Sequence, residues 1–180
     1  LVIDITREIY SGMEVFEGDP EVSVKVEKTV ESDGYSLREI RMSTHAGTHM
    51  DAPSHFHSDG STMSDLDISR LLGHAYVTGS FRDAFPDGTR ILLSRKGDLD
   101  QKRAVELLRI GIDVFGTDEN SLEPEGDSEY GVHRILLGAG AIMIENLDLS
   151  NAPDGTYGFV ALPLRIRDGD GAPLRAVLLT

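Results

Sequence analysis

Hydrophobic and polar residues alternate most cleanly over "EVSVKVEKTV". There Val22, Val24 and Val26 are separated by Ser23 and Lys25. That period of two predicts a strand with one buried face. "LVIDI" reads as another strand, and "YSLREIRM" as one that runs directly into the residues after it. "HAYVTGSF", "RILLS", "IDVFGT", "AIMIEN", "YGFVALPL" and "LRAVLL" are further short runs rich in β-branched or aromatic residues, each expected to be a strand. Helical spacing is rarer. "SDLDISRLLG" places Ile68, Leu71 and Leu72 at i, i+3 and i+4 between a Ser64 start and a Gly73 stop. "DQKRAVELLRIG" offers Asp100 as N-cap, Ala104, Leu107 and Leu108 on one side, and Gly111 as the stop. "GVHRILLGAG" predicts a short helix with His133 near its start, and the acidic "DENSLEPEGDSEYG" predicts a loop. No repeat, low-complexity tract or linker divides the chain. The expectation is one α/β domain over residues 1–180, strand-rich with a few short helices, its strand order left open.

Composition narrows the function. The chain has 180 residues, 39% hydrophobic and 27% charged, as an ordinary folded protein does. Its net charge of −14, from 31 acidic and 17 basic residues, lacks the basic footprint that nucleic acid or an anionic membrane requires. No run approaches the roughly 18 apolar residues of a membrane helix. The opening "LVIDITREIY" meets Asp4 after three residues, which is no secretory apolar core, although without a Met an earlier segment stays open. Cysteine is absent, so thiolate nucleophiles, disulfides and Cys-type zinc sites are excluded together. Histidine and carboxylate remain as metal ligands; the lack of cysteine says little about compartment, and the cytoplasm, where no disulfides are needed, is the expected location.

"STHAGTHMDAPSHFH" changes the picture most. It holds four of the six histidines, His45, His49, His55 and His57, together with Asp51. As a helix it would place Asp51 about 160° from His49, and Pro53 would break it. In an extended chain His45, His49, Asp51 and His55 share one parity, and Gly47 permits a kink that brings His45 and His49 around one point. Two imidazoles and a carboxylate suit Zn²⁺ or Mn²⁺ and leave a coordination position for water. A metal lowers the pKa of such a water from about 15.7 to about 7. His57 and His74 are assigned ordinary structural roles. Gly47-Thr48 is no phosphate loop, because neither a second Gly nor a following Lys completes it. Glu145 closes the apolar run "AIMI", where a buried charge needs a partner. No G-x-S-x-G elbow supports a serine triad.

"HAGTHMDAPSH" resembles the signature of the cyclase family of metal-dependent hydrolases, which includes bacterial kynurenine formamidase and isatin hydrolase. "FGTDENSLE", "VHRILLGAGAIMIENLDL" and "LPLRIRDGDGAPLRAVLL" resemble further stretches of that family, so the likeness runs along nearly the whole chain. The resemblance implies a swivelling β/β/α fold, a site for one or two ions, and homodimers or homotetramers. It implies His45, His49, Asp51, His133 and Glu145 as metal ligands, with Asp51 bridging, and His55 as the proton carrier. The implied reaction is hydrolysis of an amide-type C–N bond in a small molecule, foremost an arylformamide such as N-formylkynurenine. A cyclic amide hydrolase and a non-catalytic metal-binding protein are the alternatives. Formamidases of the family carry an aromatic-Pro-Gly-Asp stretch near the N-terminus. Here "VFEGDP" keeps the aromatic as Phe16, a candidate substrate contact, but has Glu17 in place of the Pro. Phe56 is a possible second wall, and the segment between Gly73 and Gly111 is short for the family.

Overall fold

The computed structural model describes residues 1–124, 127 and 129–180. The described residues form ten strands: β1 (Val2–Asp4), β2 (Ser23–Lys28), β3 (Leu37–Arg41), β4 (His49–Asp51), β5 (Leu72–Thr78), β6 (Ile91–Ser94), β7 (Val114–Thr117), β8 (Ile142–Glu145), β9 (Gly155–Pro163) and β10 (Gly171–Leu179). Three α-helices accompany them: α1 (Val30–Asp33), α2 (Gln101–Arg109) and α3 (Gly131–Gly138).

Eight strands make one sheet in the order β1-β10-β4-β8-β7-β6-β5-β9, and a further pairing of β9 with β10 closes it on itself. Strands β5 to β8 run parallel, which demands crossover connections; α2 and α3 supply two of them. Strands β6, β7 and β8 are buried on both faces, the pattern of parallel strands covered on each side. Alternate residues feed two cores. Ile91, Leu93, Val114, Ile142 and Ile144 fill the inside of the closed sheet. Leu92, Phe115 and Met143 face outward onto Leu107, Leu136 and Leu137 of α2 and α3. The architecture is the expected strand-rich α/β fold.

All nine expected strands form, but the histidine segment and one helix differ from expectation. "SDLDISRLLG" makes only a 3₁₀ turn over Ile68–Leu71, started by the Asp67 side chain, before β5 begins at Leu72. The apolar spacing there is met by strand pairing to β9 rather than by a helix. The expected helices at 101 and 131 are present, with Asp100 accepting from the Arg103 amide as N-cap. The acidic loop follows β7, though residues 125, 126 and 128 of it lie outside the described residues. The β2–β3 hairpin stands apart as a two-stranded sheet with α1 at its tip. Its one-face burial fades outward: Val22 at the base is buried, Val24 partly so, and Val26 is exposed.

Candidate metal centre

The register of three strands sets the cluster. β4 lies between β8 and β10, with His49 opposite Glu145 and Asp51 opposite Gly171. Met50, between them, points into the inner core. His49, Asp51 and Glu145 therefore share the outer face of the closed sheet, the side that carries α3. His133, in the first turn of α3, completes the group from above. His45 arrives from a turn and His55 from the 3₁₀ turn Pro53–His55, so shared strand parity is not what gathers the histidines. Gly47 makes the kink, with φ of 68°.

Asp51 is 1% exposed and meets three imidazoles. Its Oδ1 lies 2.8 Å from His45 Nδ1 and 3.3 Å from His49 Nε2, and its Oδ2 lies 3.6 Å from His133 Nε2. Glu145 repeats the pattern: Oε2 is 3.6 Å from His49 Nε2 and Oε1 is 3.2 Å from His133 Nε2. Glu145 Oε1 also accepts from the Leu122 amide at 2.8 Å. Each carboxylate thus turns one oxygen to the His45–His49 side and the other to His133. Donor atoms of His49, Asp51 and Glu145 lie within 4.8 Å of one another, as do those of His45, Asp51 and His55. Buried nitrogen and oxygen donors converging from separate elements are what a divalent ion such as zinc needs, so the residues fit a metal.

The outward nitrogens of the imidazoles are held too. His49 Nδ1 donates to the Gly47 carbonyl at 2.9 Å, and His45 Nε2 lies 3.2 Å from Asp170 Oδ2. His133 Nδ1 lies 3.0 Å from Glu123 Oε1. Such outer partners orient ligating imidazoles. Glu123, Asp170 and Tyr130 were not singled out from the sequence. The first two sit inside the quoted stretches "FGTDENSLE" and "LPLRIRDGDGAPLRAVLL", but nothing about one carboxylate in an acidic loop marks it as a histidine's partner.

His55 stacks on His45 with ring centroids 4.0 Å apart, and its Nδ1 is 3.6 Å from Asp170 Oδ2. It opens onto a cavity of about 400 Å³ whose floor is the cluster and whose walls include Phe16, Phe56 and Tyr130. Phe16 is 44% exposed. Its segment is held beside the histidine turn by Met13 and Val22 packed with Ala46, and by a Ser43 hydroxyl bond to Asp19. The two histidines read as structural lie apart from this floor. His57 Nε2 donates to the Arg134 carbonyl, and His74 lies on β5 by another groove.

Electrostatics agree with a cation site. Burial opposes the charge on His45, but the hydrogen bonds and charges of Asp51 and Asp170 outweigh it and push the pKa up to about 9. His133 rises likewise to about 10, burial being overcome by Glu123 and Glu145. Against burial, Asp51 and Glu145 raise His49, and hydrogen bonds from His45 and then His49 lower Asp51. All of these shifts favour positive charge beside the buried carboxylates. These raised pKa values stabilise the metal-free fold fully below about pH 6.5, the ordinary value for histidine. The contribution declines above that and is gone once pH has passed about 9 for His45 and about 10 for His133. Thermal melts of chelated protein should therefore fall between pH 7 and pH 10, while melts of metal-loaded protein hold nearly level.

Gly171 is required by close approach. A Cβ there would lie 2.6 Å from His45 Cε1 and 2.9 Å from the Met50 carbonyl oxygen. Gly171→Ala should push His45 off the cluster and cost about 1–3 kcal/mol by overpacking. Thermal melts and metal titration of that variant check it; unchanged affinity would show that His45 has room to spare.

Fold and cluster together define a metal-dependent enzyme with a small-molecule cavity. Residues 3–102 match the family model described as "Putative cyclase". Kynurenine formamidase of Bacillus mycoides is 32% identical over 200 aligned positions, covering 98% of this chain and 96% of the relative. That of Salinibacter ruber is 30% identical over 208 positions, with the same coverage. A solved structure described as a "potential metal-dependent hydrolase with cyclase activity" is 27% identical, covers 99% of this chain and 96% of its own, and superposes with a TM-score of 0.81. Isatin hydrolase A from Labrenzia aggregata shares the fold at a TM-score of 0.84 and 20% identity, covering 100% of this chain and 94% of its own. The chain belongs to the cyclase family. Its alignments run over more positions than its 180 residues, so those relatives carry residues this chain lacks.

Proposed function

We propose that residues 1–180 form a single metal-dependent hydrolase domain that cleaves an amide-type C–N bond with water. Its favoured substrate is an arylformamide such as N-formylkynurenine. The observation that carries this is the double reach of Asp51 and Glu145, each with one oxygen toward the His45–His49 side and one toward His133. Relatives called kynurenine formamidase, matched over nearly their whole length, supply the substrate class.

On this reading His45, His49, Asp51, His133 and Glu145 hold one or two Zn²⁺ ions, with Mn²⁺ the alternative that the same N and O donors accept. A divalent ion there supplies Lewis-acid polarisation of the carbonyl and makes a water acidic enough to attack near neutral pH. His55 carries the proton. Burial, the largest influence on it, pushes its pKa below the usual histidine value, so it is neutral near pH 7 and able to accept. It takes a proton from the attacking water and returns one to the departing nitrogen. The formyl C–N bond breaks, the amine leaves neutral, and the formic acid released gives its remaining proton to solvent, leaving formate. Phe16, with Phe56 and Tyr130 across the cavity, packs against the aryl ring.

The enzyme is proposed to act in the cytoplasm as a dimer or tetramer. Exposed Leu37 and Ile40 on the β2–β3 hairpin support association, and light scattering of the purified protein reads its mass. Among the described residues no helix is long and apolar enough to cross a membrane.

The test is a substrate panel with and without chelator. Chelator-sensitive hydrolysis of N-formylkynurenine, exceeding that of isatin, is expected. A preference for isatin would reassign the substrate to a cyclic amide. Metal without turnover on either would favour a binding protein and contradict the role given to His55.

A further inference from the structure

Glu123 has no part in the reaction outlined above, yet its side chain is only 4% exposed. One oxygen, Oε1, accepts twice from the same residue: from the His133 backbone N–H at 2.8 Å and from the His133 ring Nδ1–H at 3.0 Å. The other oxygen, Oε2, is buried and has no hydrogen-bond partner among the described residues. Burying a carboxylate is costly, and this arrangement directs both of its hydrogen bonds among the described residues to one histidine.

Helix capping explains part of it. Tyr130 stands at the N-cap of α3 in a left-handed conformation, φ of 54°, and gives no side-chain cap. Glu123 meets the amide of the third helical residue in its place. Capping does not explain the bond to the ring. With Nδ1–H directed at a carboxylate, a proton is fixed on Nδ1, and Nε2, which faces Glu145 Oε1 and Asp51 Oδ2, is the nitrogen left to give up its proton and offer a lone pair to a metal. A carboxylate on the far nitrogen also makes an imidazole a better donor to metal. His49 has a neutral carbonyl in that place, and the partner of His45, Asp170, has a side chain 48% exposed. Glu123 is the deeply buried carboxylate of the three.

We propose that Glu123 is a positioning residue: it locks the ring and tautomer of His133 and so sets the metal affinity on the His133 side of the cluster. This rests on the reading of His133 as a metal ligand. The experiment is calorimetric titration of chelator-stripped protein with Zn²⁺, alongside long-range ¹H–¹⁵N imidazole spectra of the zinc-loaded form. It compares wild type, His133→Ala, Glu123→Ala and Glu123→Gln.

His133→Ala should abolish or strongly weaken one binding step. Glu123→Ala should weaken that same step by about 10–100-fold, leave the other unchanged, and loosen the Nδ1-protonated signature of His133. Glu123→Gln keeps an accepting oxygen without the charge, so it should show a smaller weakening at the same step with the tautomer retained. A cap alone would lower the melting temperature of these variants and leave the binding steps alone. Wild-type affinity at both steps in a folded Glu123→Ala variant, with an unchanged imidazole signature, would overturn the proposal. Should Glu123→Ala fail to fold, unchanged affinity in Glu123→Gln overturns it equally. If His133→Ala leaves both steps intact, the ligand reading itself has failed, and the role of Glu123 toward metal falls with it.

Discussion

Asp51→Asn is expected to empty the metal site and cut hydrolysis by about 10³–10⁴-fold, the worth of several kcal/mol of transition-state stabilisation. The reason is local. Asp51 is buried, and its two oxygens serve His45 and His49 on one side and His133 on the other. An amide keeps the shape but loses the charge, and it presents a donor where one of those imidazoles must share a cation. One substitution therefore acts on both sides of the cluster, whereas His45→Ala and His133→Ala should each weaken one side first. Elemental analysis of the three variants checks the ordering. Metal content in Asp51→Asn equal to wild type would remove Asp51 from the proposed ligands.

His55→Ala is expected to lower kcat by about 10²–10⁴-fold, the usual worth of a positioned proton carrier, with metal content preserved. The side chain is 30% exposed and faces the cavity, so its loss should disturb the fold little. Wild-type activity should fall on the acid side as the depressed pKa of His55 is passed and the ring takes up a proton. That acid limb should be missing from the variant. His45, Asp51 and His55 also form a compact set of donors. Loss of metal in His55→Ala would accordingly recast His55 as a ligand.

Much of the fold was legible because its strands are short, apolar and β-branched, and because Asp100 and Gly111 bracket α2 with ordinary cap chemistry. The failure at "SDLDISRLLG" is physical: Leu71 and Leu72 have helical spacing, but Leu72 enters β5 and pairs with Val160 of β9, a contact distant in sequence. The gathering of His45, His49 and Asp51 could be anticipated from their closeness in the chain. Their means of gathering could not. Parity accounts for His49 and Asp51 on β4, whereas the turn at Gly47 delivers His45 and a 3₁₀ turn delivers His55. Closure of the sheet was invisible for the same reason as the pairing of Glu123 with His133. Each depends on which distant segments meet, and local pattern carries no record of that.

The central claim is that metal in this cluster drives hydrolysis, and the most direct measurement is a Zn²⁺ titration of chelator-stripped protein followed by turnover of N-formylkynurenine. The account predicts almost no turnover at the start and a rise that saturates once one or two equivalents have bound, in step with the donor set of Asp51 and Glu145. Turnover that survives stripping, or stripped and folded protein that takes up no Zn²⁺ or Mn²⁺, would contradict it.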